Sequence, residues 1–175
     1  MKKGNVLMVC LGNICRSPLA HGIFEHLSKD FSITVDSAGT ANYHAGNAPD
    51  PRSIKTAAAK GINIANQKAR QFIAADFVAF DYIFVMDQEN LNNVLKLAET
   101  ESDRKKVRLL LGSDEVEDPY YGGDQGFEIY VGSWWPRSLE RASLTQYLIN
   151  CLSLIPKLAL VFALLYSSSS ISISL

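Results

Sequence analysis

The segment Cys10-Leu11-Gly12-Asn13-Ile14-Cys15-Arg16-Ser17 sets a thiol and a guanidinium on either side of five residues, directly before a stretch that reads as a helix. Backbone N–H groups in a tight loop and at a helix N-terminus converge on one point. The helix dipole adds partial positive charge there, so the loop is a cradle for an anion. Gly12 and Asn13 tolerate the positive φ angles that such a turn uses. Arg16 brings a planar fork of donors that can hold two phosphoryl oxygens together. A thiol at Cys10 over that field is favoured as the thiolate, and it can attack phosphorus to give a thiophosphate, splitting one displacement into two. Ser17 can donate a hydrogen bond to Cys10 as this intermediate forms or breaks. A buried structural cysteine would give the same bare spacing. The chemical reading is preferred because the loop follows an apolar strand and opens a helix. A nucleotide-binding P-loop is disfavoured, since Arg16-Ser17 stands where Gly-Lys-Ser/Thr is needed, and ATP is not implied.

A leaving oxygen needs a proton, and the candidate general acid is Asp118. It lies in Glu117-Asp118-Pro119-Tyr120-Tyr121-Gly122-Gly123, where Pro119 stiffens the backbone and the two tyrosines can form walls for an aromatic ring. An ordinary Asx turn with surface tyrosines is the bland alternative, and pairing with the Cys10 loop ranks the catalytic reading above it.

These groups need a scaffold that brings residues 10 and 118 together. Asn5 to Cys10 is an apolar run suited to a strand covered on both faces. Ser17-Pro18 reads as a helix entry, with serine as cap, followed by an apolar stripe at Leu19, Ile23, Phe24 and Leu27. Ile33 to Val35 reads as a second strand that Asp36 to Thr40 ends in a loop. Asp50-Pro51 opens a helix running to a stop at Gly61. Tyr82 to Met86 is a third strand. Asp87 caps a helix with Leu91, Val94, Leu95 and Leu97 as apolar positions, and Val107 to Leu111 is a fourth strand after the charged stretch Glu99 to Lys106. The expected fold class is α/β: a four-stranded parallel sheet with helices on both faces and the phosphate-binding loop after the first strand.

The 175 residues are about one domain's worth, and 47% hydrophobic content supplies a sizeable core. With 17 basic and 18 acidic side chains, the net charge of −1 gives no footprint for nucleic-acid binding or a polybasic membrane patch. Three cysteines and no signal-peptide core argue for a reducing, cytoplasmic compartment.

The sequence resembles the low-molecular-weight protein tyrosine phosphatases. The resemblance runs from Val6 to about Glu128 and rests on Val9 to Pro18, Asp36-Ser37-Ala38-Gly39-Thr40, Asp50-Pro51-Arg52, Met86-Asp87 with Asn90, and Asp118-Pro119-Tyr120-Tyr121. It implies a cofactor-free, metal-independent phosphatase with Cys10 as nucleophile, Arg16 binding the phosphoryl group and Asp118 as acid and then base. It also implies that Ser17 assists the thiolate and Asn13 holds the loop in shape. Leu11, Gly12, Asn13, Ile14 and Cys15 would surround the phosphate, while Tyr43 with Leu11, Tyr120 and Tyr121 would grip a phenyl ring. Phosphotyrosine proteins and small aryl phosphates are the expected substrates. Arginine phosphatases of similar sequence carry threonine where Ile14 stands and lack the paired tyrosines. Arsenate reductases of the same fold need further redox cysteines, for which only Cys15 and Cys151 are candidates. A phosphate-binding module without turnover is the remaining alternative.

The spacing of Cys15 from Cys10 allows a protective internal disulfide, or Cys15 is simply a small buried thiol, and both readings stay open. His21, His26 and His44 show no metal spacing and are assigned to helix surface and loop, with no metal expected. The sequence leaves the oligomeric state open.

The family-like text ends near Glu128, so residues 1–128 are expected to form the phosphatase domain and 129–175 an atypical segment where a covering helix belongs. Gly132, Trp134, Trp135 and Pro136 interrupt helical continuity, and an apolar stretch from Leu148 to Tyr166 precedes a serine run. A shifted reading frame near Ile129 is the first explanation. A tail anchor is the second, disfavoured because Lys157 near the middle of the stretch costs about 2.5 to 3.5 kcal/mol to insert. The third is an improvised helix over Leu139 to Leu165, bent at Pro156.

Overall fold

The structure, a computed structural model, describes residues 4–121. The expectations for residues 129–175 lie outside the described residues. Among those described, four strands and five helices alternate: β1 (Gly4–Cys10), α1 (Arg16–Leu27), β2 (Ile33–Gly39), α2 (Pro51–Ala58), α3 (Asp76–Ala79), β3 (Tyr82–Val85), α4 (Gln88–Leu95), α5 (Glu101–Lys106) and β4 (Val107–Leu109), before a 3₁₀ turn at Pro119–Tyr121. All strand pairs are parallel and the order is β2-β1-β3-β4. The strand order reverses about β1, so the loop after β1 sits where an open α/β sheet gathers its ligands.

The continuous apolar run of β1 is what two covered faces require. Leu7 and Val9 face one way, with Ile83 and Val85 of β3, and pack with Phe72, Phe77, Val94 and Val107 in one cluster. By the two-residue period of a strand, Val6, Met8 and Phe84 face the other way and are equally buried. On that side α1 packs on β1 and β2 and against α2, while α4 packs on β3 and β4 from the first side, through Leu91, Val94 and Leu95. Phe72 and Phe77 meet edge to face at 5.3 Å within the first cluster.

Several local expectations are corrected. Ser17 is not a cap: α1 begins at Arg16, its N-cap Cys15 makes no side-chain cap bond, and Ser17 is wholly buried inside the first turn. The segment Asp36 to Gly39 is strand, not loop, because β1 pairs with it residue for residue as far as Cys10 opposite Gly39. That ladder outweighs the loop preference of Asp, Ser and Gly. Leu97 lies beyond the end of α4 and is 44% exposed, so it is not on the buried stripe. The charged stretch before β4 is a helix, α5, fixed by a reciprocal capping box between Thr100 and Asp103. β3 and β4 end at Val85 and Leu109, earlier than the apolar runs suggest. The short helix α3 has no counterpart in the sequence reading. Asp50 and Asp87 do cap α2 and α4, accepting from Arg52 N and Asn90 N.

Candidate active site

The loop after β1 is held by its carbonyls. Cys10 O accepts from Thr40 N at 2.8 Å, Leu11 O from Ala41 N at 2.9 Å, and Ile14 O from Asp50 N at 2.8 Å. All peptides among the described residues are trans, so each tethered carbonyl turns the next residue's N–H the opposite way. The N–H groups of Leu11, Gly12 and Cys15 therefore point away from these tethers, and Asn13 N donates to Cys10 Sγ at 3.3 Å. Asn13 is the one non-glycine residue with positive φ among those described, at 54°, and it is 1% exposed. Its side chain holds that conformation: Nδ2 donates to Ser17 Oγ and Ser37 Oγ, both at 2.9 Å, and Oδ1 accepts from Arg70 N at 2.9 Å.

Ser17 Oγ is 3.1 Å from Cys10 Sγ and 3.3 Å from Ala38 O. The serine is thus shared between the thiol, the Asn13 amide and β2, which explains why it is buried instead of capping. Arg16 is 4% exposed. Its Nη1 donates to Asp87 Oδ2 at 2.6 Å and to Val116 O at 3.1 Å, and its Nη2 lies 2.9 Å from Asp118 Oδ2. Burial alone would lower the Arg16 pKa, but Cys10, Asp118 and Asp87 outweigh it and raise the pKa above its ordinary value. The guanidinium is a permanent cation at the base of the site.

Asp118 Oδ1 accepts from Tyr120 N at 3.0 Å, an Asx turn that opens the 3₁₀ turn at Pro119. The Asx turn uses Oδ1 and leaves Oδ2 facing Arg16. Arg52, held by both oxygens of Asp50, reaches across to the Tyr120 carbonyl at 3.5 Å and lies 5.4 Å from the ring centroid. A cleft of about 230 Å³ is lined by Cys10, Leu11, Gly12, Ile14, Cys15, Arg16, Tyr43, His44, Asp118 and Tyr120. Tyr43 and Tyr120 line it and are exposed, at 77% and 48%. Tyr121 ends the 3₁₀ turn, and its side chain lies outside what is described. Asn13 supports the loop from behind and is not among the residues lining the cleft.

Cys15 is buried beside Cys10, and both cysteines are free. Burial, with the charges of Asp50, Cys10 and Asp118, pushes the Cys15 thiol up to about 12. Three residues that contact the loop, Arg16 or the cleft are absent from the site the sequence predicts. The sequence predicts Asp87 as a helix cap, yet capping uses only Oδ1 and leaves Oδ2 for Arg16. The sequence places His44 in a loop with no role, but its ring lies over Gly12 and lines the cleft. Arg70 carries no local signal at all. His21, expected on the helix surface, is 12% exposed and faces Ser37 Oγ at 3.5 Å. Among the described residues no group of three or more His, Cys, Asp or Glu could hold a metal ion.

The family model for low molecular weight phosphotyrosine protein phosphatase matches residues 5–132. The pig low molecular weight phosphotyrosine protein phosphatase is 41% identical over 134 residues, covering 71% of this chain and 84% of that one. The phosphatase of the same description from Schizosaccharomyces pombe is 42% identical over 138 residues, covering 72% and 86%. In structure the chain resembles the protein tyrosine phosphatase of Entamoeba histolytica, with a TM-score of 0.69 and 34% identity over 74% of this chain and 88% of that one. With the anion cradle, the thiol and the carboxylate drawn into one cleft, these likenesses show that the chain belongs to the low molecular weight phosphotyrosine protein phosphatase family and is a cysteine-dependent protein tyrosine phosphatase.

Proposed function

We propose that Cys10 is the nucleophile, Arg16 the phosphoryl clamp and Asp118 the general acid and then base. The observation that carries this assignment is the meeting of all three in one cleft, with Arg16 bonded to Asp118 and Ser17 Oγ at 3.1 Å from the Cys10 sulfur. In the first step Cys10 Sγ attacks phosphorus, the bond from phosphorus to the aryl oxygen breaks, and Asp118 gives its proton to that oxygen. In the second, the Asp118 carboxylate takes a proton from water, the water oxygen attacks phosphorus, and the S–P bond breaks to release phosphate and the Cys10 thiolate. Loop N–H groups of Leu11, Gly12, Ile14 and Cys15, with the Arg16 fork, hold the equatorial oxygens, over which the transition-state charge is spread. Asn13 keeps the loop in shape, and Ser17 steadies the departing thiolate.

Tyr43, Tyr120 and Leu11 make an apolar, aromatic mouth, to which Tyr121 is added on the sequence alone, and this favours phosphotyrosine and small aryl phosphates over alkyl phosphates. Residues 1–128 are assigned as the catalytic domain. The odd count of three cysteines supports a reducing, cytoplasmic setting. Among the described residues no helix is long and apolar enough to cross a membrane. The test is hydrolysis of an aryl phosphate by the full chain in a metal chelator, beside Cys10→Ser. Activity that survives the chelator and vanishes in the variant is expected. Activity retained in the variant would remove Cys10 from its role.

A further inference from the structure

The left-handed turn at Asn13 depends on an acceptor satisfied from 57 residues away, by Arg70 N. That N–H is held in place by an elaborate anchorage. Gly39 N donates to Arg70 O at 2.8 Å and Phe72 N to Gly39 O at 2.7 Å, which lays the segment along the end of β2. The Arg70 side chain then fastens it on both sides. Nε and Nη2 each lie 2.9 Å from Asp36 Oδ2 in β2, and Nη1 lies 3.0 Å from Asp76 Oδ2 at the start of α3. Nη1 also donates to Gln71 O at 3.3 Å, and the guanidinium lies 5.9 Å from the Phe80 ring centroid. Asp76 is 6% exposed and takes a further bond from Ile73 N at 2.9 Å, so its carboxylate is committed.

We propose that Arg70, clamped between Asp36 and Asp76, is a positioning residue for the phosphate-binding loop. Its side chain holds its own backbone N–H against Asn13 Oδ1, Asn13 is thereby kept in the left-handed conformation, and the Asn13 N–H is kept on the Cys10 sulfur. A loop residue with positive φ persists only where its surroundings over-determine it. The sheet, Ser17 and Ser37 supply part of that determination, and the Arg70 clamp supplies the acceptor's half. Arg70 touches neither Cys10 nor the cleft, so its influence on chemistry passes through Asn13. The proposal deepens the assignment of Cys10 as nucleophile and rests on it.

The experiment uses the full chain with Arg70→Met, which keeps the stem and removes the fork, and with Asp76→Asn, which loosens one arm without deleting a large side chain. The pH dependence of Cys10 alkylation by iodoacetate is read by mass spectrometry, alongside kcat and KM for an aryl phosphate and the melting temperature. Arg16, Asp118, Cys15, His44, Tyr43 and Tyr120, the charged and titratable neighbours in the cleft, are the same in every variant. Loss of one hydrogen bond to a thiolate should raise the alkylation midpoint by about one pH unit. A roughly tenfold fall in kcat should accompany it, with KM little changed. Asp76→Asn should move both in the same direction by less. In an Asn13→Ala background Arg70→Met should add nothing, since both act on one contact. A lower melting temperature with an unmoved midpoint and kcat would overturn the proposal, as would additive effects in the double variant. Loss of activity in step with Cys10 labelling in the unaltered chain checks the nucleophile separately from this comparison.

Discussion

Arg16 Nη2 and Asp118 Oδ2 lie 2.9 Å apart, so the phosphoryl clamp and the proposed acid are partners of one another. A phosphate dianion seated on the loop must take Nη2 from the carboxylate and lie beside it. Asp118→Asn removes both the competitor and a like charge. Inorganic phosphate should then inhibit about fivefold more strongly, the equivalent of ~1 kcal/mol for a partly exposed pair. Turnover of substrates with poor leaving groups should fall about 10²- to 10³-fold. Inhibition constants and a leaving-group series check the two effects, and weaker phosphate binding in the variant would contradict the first.

Asp87 has two separable duties, with Oδ1 capping α4 and Oδ2 anchoring Arg16. Asp87→Asn should keep the cap and lose the charge, lowering kcat/KM about tenfold with a small change in melting temperature. Asp87→Ala should show the same catalytic loss and in addition about 1 kcal/mol of lost stability from the missing cap. Identical melting temperatures for the two variants would show that the cap is not needed.

Arg52 joins the start of α2 to the Tyr120 wall through the carbonyl and the ring. Arg52→Ala and Tyr120→Ala should each raise KM for aryl phosphates. The double variant should fall short of the sum by about 0.5 to 1 kcal/mol, the range for an exposed cation–π pair. A KM series over the four proteins measures this coupling, and strict additivity would mean that the contact does not shape the wall.

Cys15, held up at about 12 by burial and its acidic neighbours, remains a thiol throughout the neutral range. Iodoacetamide at pH 7 should therefore modify Cys10 well before Cys15, with Cys15 labelled only once the chain is denatured. Peptide mapping after timed labelling gives the order. Early modification of Cys15 in the folded protein would show that its burial is incomplete.

His21 ties stability to pH. Burial lowers its pKa below the ordinary 6.5, and Glu25 and Asp36 only partly offset this. Above 6.5 the folded and unfolded chains both hold it neutral and stability is unaffected. As the pH falls below 6.5, the unfolded chain takes the proton first, so stability is lost down to the lower folded value. Urea midpoints between pH 7.5 and 5 should decline, and the decline should be shallower in His21→Gln. An unchanged slope in that variant would assign the pH dependence to other groups.

What the sequence determined by itself is local. The strand-loop-helix around Cys10 and Arg16, the Asp caps of α2 and α4, the stop at Gly61 and the Asp118 turn are all encoded within a few residues, where spacing, capping and apolar periodicity act directly. The parallel sheet follows from the alternation of such pieces. Tertiary structure decided the rest. The continuation of β2 to Gly39 needs β1 beside it, and the burial of Ser17 needs the Cys10 sulfur, Asn13 and Ala38 around it. Arg16's bonds to Asp87 and Val116, and Asn13's bond to Arg70, span 71, 100 and 57 residues. No short-range pattern encodes such pairs. They arise because the order β2-β1-β3-β4 brings the loops after β1, β3 and β4 to one end of the sheet, where each buried polar group must find a partner or bear its desolvation.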